Sequence, residues 1–291
     1  IQPIGIKDNF FSLGGNSLIA TSMVAQIEKV FDKKLNQGIF FEASTIEKLA
    51  KVIALEDNLS QSVVKINSNC QKIPLFIIAN NGYLYQQMID NLDAEQPVYI
   101  LQEPLDNAPE MASRCIQQIK SIQPQGPYNL MGHSYEGLVT YEIAQQLYAQ
   151  NEQVAFLGML DTPTPEVENR AEEARLLFKR YQRLKVVLGF SWKDKTSFFK
   201  ERIDYRLNES LQPLMPTLSK FMNEYQVKPL PGKINLFIAT FEFYGLEDAN
   251  FGWDKWAYEV DIYKIPGTHR SMLLKPENAQ LLAKQLSTCL K

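Results

Sequence analysis

The stretch Tyr128-Asn129-Leu130-Met131-Gly132-His133-Ser134-Tyr135-Glu136-Gly137 runs from a short apolar segment through a glycine and a serine into a helical pattern carrying Leu138, Tyr141, Ile143, Ala144 and Leu147. Strand, sharp turn with serine, helix is the setting in which a turn exposes a serine Oγ while the helix N-terminus and the next backbone N–H face a developing oxyanion. Gly-x-Ser alone is weak, so its surroundings decide. Short apolar runs at 75–79, 98–101, 155–160, 234–239 and 260–265 alternate with helical candidates at 110–122, 135–149 and 277–290. Buried parallel strands read this way, and the alternation predicts an open, doubly wound, mostly parallel α/β sheet. Residues 165–232 break the rhythm with helical patterns only, which predicts a lid over the active edge of the sheet, the alternative being a purely structural helical excursion.

A serine at its ordinary pKa needs a base, and the chain holds two histidines. His133 adjoins the serine on the turn, where its ring has difficulty reaching Ser134 Oγ. That leaves His269, in Pro266-Gly267-Thr268-His269-Arg270 after the last strand. The third member must be a carboxylate that fixes the imidazole tautomer, and Asp161 directly follows the strand at 155–160, at the end where open α/β sheets place their sites. The chain order Ser134, Asp161, His269 is that of α/β hydrolases. A surface histidine and a helix-capping aspartate are the bland alternatives. The first oxyanion donor is expected at the backbone N–H of Tyr135 and the second from the loop Asn80-Asn81-Gly82.

Composition bounds the reading. The 291 residues carry 30 basic and 33 acidic side chains, a net charge of −3 and 45% hydrophobic residues, so a packed core is expected and no basic footprint for nucleic acid is present. Cys70, Cys115 and Cys289 are far apart and odd in number, which suggests neither disulfides nor a metal site and fits a reducing, cytoplasmic compartment. The longest uncharged stretch, 73–89, contains Pro74, Asn80, Asn81 and Gly82 and does not read as a membrane span. The start at Ile1, without an initiator Met, suggests a piece of a longer polypeptide.

The first 56 residues differ in kind. Leu18, Ala20, Met23, Val24, Ile27 and Phe31 recur at helical spacing, and Ser44-Thr45-Ile46-Glu47 announces a second helix as a capping box. Residues 57–72 have no sustained period and read as a linker. Ahead of the first helix, Asp8-Asn9-Phe10-Phe11-Ser12-Leu13-Gly14-Gly15-Asn16-Ser17-Leu18 places two glycines and a serine at a helix start, where an anionic group on Ser17 is favoured. An N-capping serine is the bland reading.

That string resembles the attachment loop of peptidyl and acyl carrier domains of nonribosomal peptide and polyketide synthetases, and residues 40–50 resemble the family's third and fourth helices. The resemblance implies a small all-α carrier bundle over 1–56 whose Ser17 Oγ bears 4′-phosphopantetheine, installed by a phosphopantetheinyl transferase. The family's first helix is missing ahead of this loop, so the bundle is N-terminally incomplete.

Residues 73–291 resemble the type I thioesterase domain that ends such synthetases, through Gly132-His133-Ser134, Leu160-Asp161, the helical insertion and Gly267-Thr268-His269. The resemblance implies an α/β hydrolase fold and transfer of a carrier-bound acyl or peptidyl chain, supplied by upstream synthetase modules, to Ser134. Release by water or by a nucleophile of the chain itself would follow. The family often carries His-Pro where this chain has Asn80-Asn81, and a glycine where it has Glu136. Glu136 is expected to point outward along a slightly opened elbow, the alternative being a role in the pocket. A non-catalytic acyl-carrier docking module, spoiled by Glu136, is the rival function.

Overall fold

The computed structural model describes residues 4–10, 13, 17–31, 43–54, 63–66, 71–80, 82–103, 107–170, 224–240 and 250–290. The N-terminal segment has helices α1 (Ser17–Phe31) and α2 (Ile46–Ala54). Ala20, Val24, Ala43 and Leu49 form a small core, with Phe10, Met23, Ile27 and Ile53 packed on it. Thr45 rather than Ser44 caps α2, its Oγ1 accepting the Lys48 N–H at 3.2 Å. Ser44 instead takes Asn9 Nδ2 on its hydroxyl at 3.1 Å and the Phe10 N–H on its carbonyl at 2.7 Å, tying the segment ahead of the glycine loop to α2.

The rest is built on a seven-stranded sheet of β1 (Val63–Ile66), β2 (Leu75–Ile78), β3 (Val98–Leu101), β4 (Tyr128–His133), β5 (Val154–Leu160), β6 (Leu230–Ala239) and β7 (Ala257–Ile265), in the order β1-β3-β2-β4-β5-β6-β7. All pairings are parallel except β1 with β3, which is antiparallel. The expected strands are all present, and β1 is a correction to the linker reading of 57–72. Val63-Val64-Lys65-Ile66 pairs with Leu101 to Val98 in strict register, Val64 buried and Lys65 set over the Tyr99 ring. Four residues of edge strand flanked by polar residues carry too short an alternation to stand out.

Strands buried on both faces divide their side chains between two layers. Phe76 and Ile78 of β2 pack with α4 (Ala108–Ile122) and α5 (Tyr135–Ala149) on one face. Leu75 and Ile77 pack on the other with α3 (Gln86–Ile89), α6 (Ser271–Leu274) and α7 (Pro276–Cys289). Asn107 caps α4 by accepting the Glu110 N–H, with Pro109 in the first turn. After β5, residues 165–170 are helical. Of the rest of the expected lid, 171–223 lies outside the described residues, while 225–229 have no regular structure and 230–232 already belong to β6, so the helical reading ran too far toward the strand.

The chain passes from β2 to β3 on one side and then returns to β4 on the other. That reversal makes the carboxyl ends of β2 and β4 the crevice of the sheet.

Candidate active site

Ser134 stands between β4 and α5 with φ 60° and ψ −129°, a left-handed backbone that costs about 1–3 kcal/mol and holds only where its surroundings enforce it. Its N–H donates to the Leu160 carbonyl at 2.9 Å, fastening the turn to the end of β5. A Cβ at Gly132 would strike Thr140 Oγ1 and the Glu136 carbonyl, and one at Gly137 would strike Thr162. The elbow is therefore closed, not opened as expected: these two glycines supply the close approach of helix and strand, and Glu136 does not disturb it.

The register His133 with Leu160 brings Ser134 and Asp161 to neighbouring strand ends. Asp161, fully buried and at φ 45°, donates its N–H to the Phe237 carbonyl at 2.7 Å. Its Oδ1 accepts the Ala239 N–H at 3.1 Å and its Oδ2 meets His269 Nδ1 at 2.6 Å. A buried carboxylate so held fixes the neighbouring ring, with Nδ1 protonated and Nε2 left as the basic nitrogen. The loop carrying His269 is itself braced. Thr268 N–H donates to Ser271 Oγ at 2.7 Å, Asn278 Nδ2 donates to the Ser271 carbonyl at 3.1 Å, and Gly267 at φ 110° leaves room for both side chains.

Sequence reasoning set His133 aside, and the structure gives it a different place. Its buried ring lies 4.2 Å, centroid to centroid, from that of His269, and its Nε2 donates to the His269 carbonyl at 2.9 Å. Burial first, then the charges of His269 and Arg270, hold its pKa well below the usual histidine range, so it is the neutral Nε2–H tautomer. Only the adjacency of two histidines separated by 136 residues would have signalled this, and that adjacency belongs to the fold.

The loop after β2 departs from expectation. Asn80 N–H donates to Glu136 Oε1 at 3.2 Å and Asn80 Nδ2 to Tyr135 Oη at 2.7 Å. Glu136 thus turns inward, not outward, and its carboxylate accepts the Asn80 N–H. The Asn80 amide expected as an oxyanion donor is engaged, and Asn81 lies outside the described residues. Burial, opposed by these hydrogen bonds and the nearby His269, pushes the Glu136 carboxyl up to about 7.

Ser17 is the first residue of α1, whose first turn carries no acidic side chain, so this helix N-terminus suits an anionic group. Among the described residues no helix is long and apolar enough to cross a membrane, and no three His, Cys, Asp or Glu side chains gather as a metal site.

The thioesterase domain family matches residues 82–289, and the phosphopantetheine attachment site family matches residues 1–53. The chain is 31% identical over 255 residues to malpinin synthetase of Mortierella alpina, covering 82% of this chain and 3% of that protein. It is 27% identical over 280 residues to enterobactin synthase component F of Escherichia coli K12, covering 90% and 21%. The fold is similar to that of the surfactin thioesterase domain, with a TM-score of 0.56 at 19% identity, covering 79% of this chain and 96% of that one. The chain therefore spans only a small part of its curated relatives. It belongs to the thioesterase domain family, with a phosphopantetheine attachment domain ahead of the thioesterase.

Proposed function

We propose that the chain releases an acyl or peptidyl chain from carrier thioester linkage through an acyl enzyme on Ser134, with His269 as base and Asp161 orienting it. The observation that carries this reading is the 2.6 Å contact between His269 Nδ1 and the fully buried Asp161, beside a strained elbow serine. Ser17 Oγ would hold 4′-phosphopantetheine, which supplies the thiol that carries the substrate as a thioester.

The residues divide the work by their chemistry. Ser134 Oγ attacks the thioester carbonyl while His269 Nε2 takes its proton and then delivers it to the departing sulfur. The C–O bond to Ser134 forms and the C–S bond breaks. Asp161 opposes the positive charge that appears on the imidazole. The N–H of Tyr135 and a second donor from the loop after β2 would face the oxygen that becomes negative. In the second half His269 deprotonates water or a nucleophile of the substrate, which frees the chain. The closed elbow favours this reading over a non-catalytic docking module, which needed Glu136 to have spoiled the turn.

The test loads Ser17 from an acyl-CoA with a phosphopantetheinyl transferase acting in the presence of upstream synthetase modules, then follows intact mass. Acyl mass lost from the wild type and retained by Ser134→Ala supports release through Ser134, and the product mass separates hydrolysis from cyclisation. Equal loss in both sinks it.

A further inference from the structure

Asn80 bridges Tyr135 and Glu136 through two hydrogen bonds that the reaction itself does not use: its N–H donates to Glu136 Oε1 at 3.2 Å and its Nδ2 to Tyr135 Oη at 2.7 Å. The asparagine gives two donors, and the carboxylate and the phenol oxygen each accept one. The bridge joins two pieces of chain 56 residues apart. One is the loop leaving β2; the other is the first turn of α5, whose Tyr135 N–H would face the acyl oxygen. Other titratable groups facing Glu136 are the buried hydroxyl of Tyr85, on the turn after that loop, and His269, on the loop after β7.

Resting on the thioesterase reading above, we infer that Glu136 is a positioning residue that latches the loop after β2 to the nucleophile elbow and so fixes the separation of the two oxyanion donors. On the reading above the acyl oxygen would sit between an N–H on the elbow and a donor on this loop other than the engaged Asn80 N–H, and such donors act through preorganisation. A glycine at 136 would leave Asn80 N–H without this acceptor and the loop tied to the elbow by the tyrosine alone. Glu136 and Asn80 are thus two halves of one device.

The test uses the full chain and an N-acetylcysteamine thioester, so that Ser17 plays no part. Glu136→Ala should lower kcat about 10- to 100-fold with KM within about 3-fold, as displaced donors cost turnover more than ground-state binding. Glu136→Gln, which keeps an acceptor for Asn80 N–H, should recover most of that loss. Tyr135→Phe retains its backbone N–H, should lose less than Glu136→Ala, and should combine with it less than additively in ln kcat because both side chains anchor Asn80. Additive losses, a loss confined to KM, equal damage by alanine and glutamine, or wild-type kcat in Glu136→Ala would each overturn the latch. Should Glu136→Ala not fold, the Glu136→Gln and Tyr135→Phe pair carries the comparison, and wild-type kcat in both overturns it. Ser134→Ala separates the two readings. If it keeps full turnover, the thioesterase reading fails and the latch with it; if it is inactive while Glu136→Ala is unimpaired, the latch alone fails.

Discussion

His133 Nε2 donates to the backbone carbonyl of His269 at 2.9 Å while the two rings lie 4.2 Å apart, so the residue before the nucleophile holds the segment that carries the base. His133→Phe keeps a ring against His269 and removes the hydrogen bond. Small displacements of a catalytic group can cost up to about 100-fold, and a drop in kcat of about 10- to 100-fold is expected on a free thioester. The rate of Ser134 labelling by a fluorophosphonate probe should fall in parallel. Unchanged labelling would show that the Asp161 contact alone positions His269.

The same histidine makes stability depend on pH. Its folded pKa is depressed, so the unfolded chain binds the proton more readily, and stability rises with pH up to the unfolded value of about 6.5 and is flat above it. Acidification from pH 7 to pH 5 should therefore lower the melting temperature of wild type more than that of His133→Phe. Parallel curves would mean that His133 is charged without penalty in the fold.

Glu136 has the opposite slope. Its folded pKa is raised from 4.5 to about 7, so the fold favours the protonated carboxyl. This contribution is fully present below the unfolded value and is lost as pH rises through about 7. Glu136→Gln should match wild type near pH 4 and be more stable than it at pH 8, by on the order of 2 kcal/mol, a few degrees of melting temperature.

The central strands were legible because residues such as Phe76, Ile77 and Ile78 are buried on both faces and read as unbroken apolar runs. The elbow was legible because strand, serine and helix are contiguous, and Asp161 because β5 ends at it. What the sequence hid depends on contacts between distant segments. β1 shows itself only through its pairing with β3, and the bridge from Asn80 to Tyr135 and Glu136 only through the adjacency of β2 and β4. Glu136 was misread for that reason: seen locally, a carboxylate on the first turn of a helix belongs in solvent.

The two oxygens of Asp161 do different work, which allows catalysis and stability to be separated. Oδ1 accepts the Ala239 N–H and Oδ2 faces His269 Nδ1. In Asp161→Asn the carbonyl oxygen satisfies the Ala239 amide, which leaves the side-chain NH2 pointing at Nδ1. Nδ1 must then accept, the ring proton moves to Nε2, and His269 can no longer take the proton of Ser134. The expected loss in kcat is about 10³- to 10⁴-fold. Because the buried backbone bond survives, the melting temperature should move by only a few degrees. Asp161→Ala removes both partners and leaves Ala239 N–H buried without this acceptor, which costs about 1–3 kcal/mol, so it should melt distinctly lower than Asp161→Asn at similar residual activity. Equal melting temperatures for the two variants would mean that the Ala239 contact contributes little to the fold, and a mild kcat loss in Asp161→Asn would mean that the tautomer of His269 is set elsewhere.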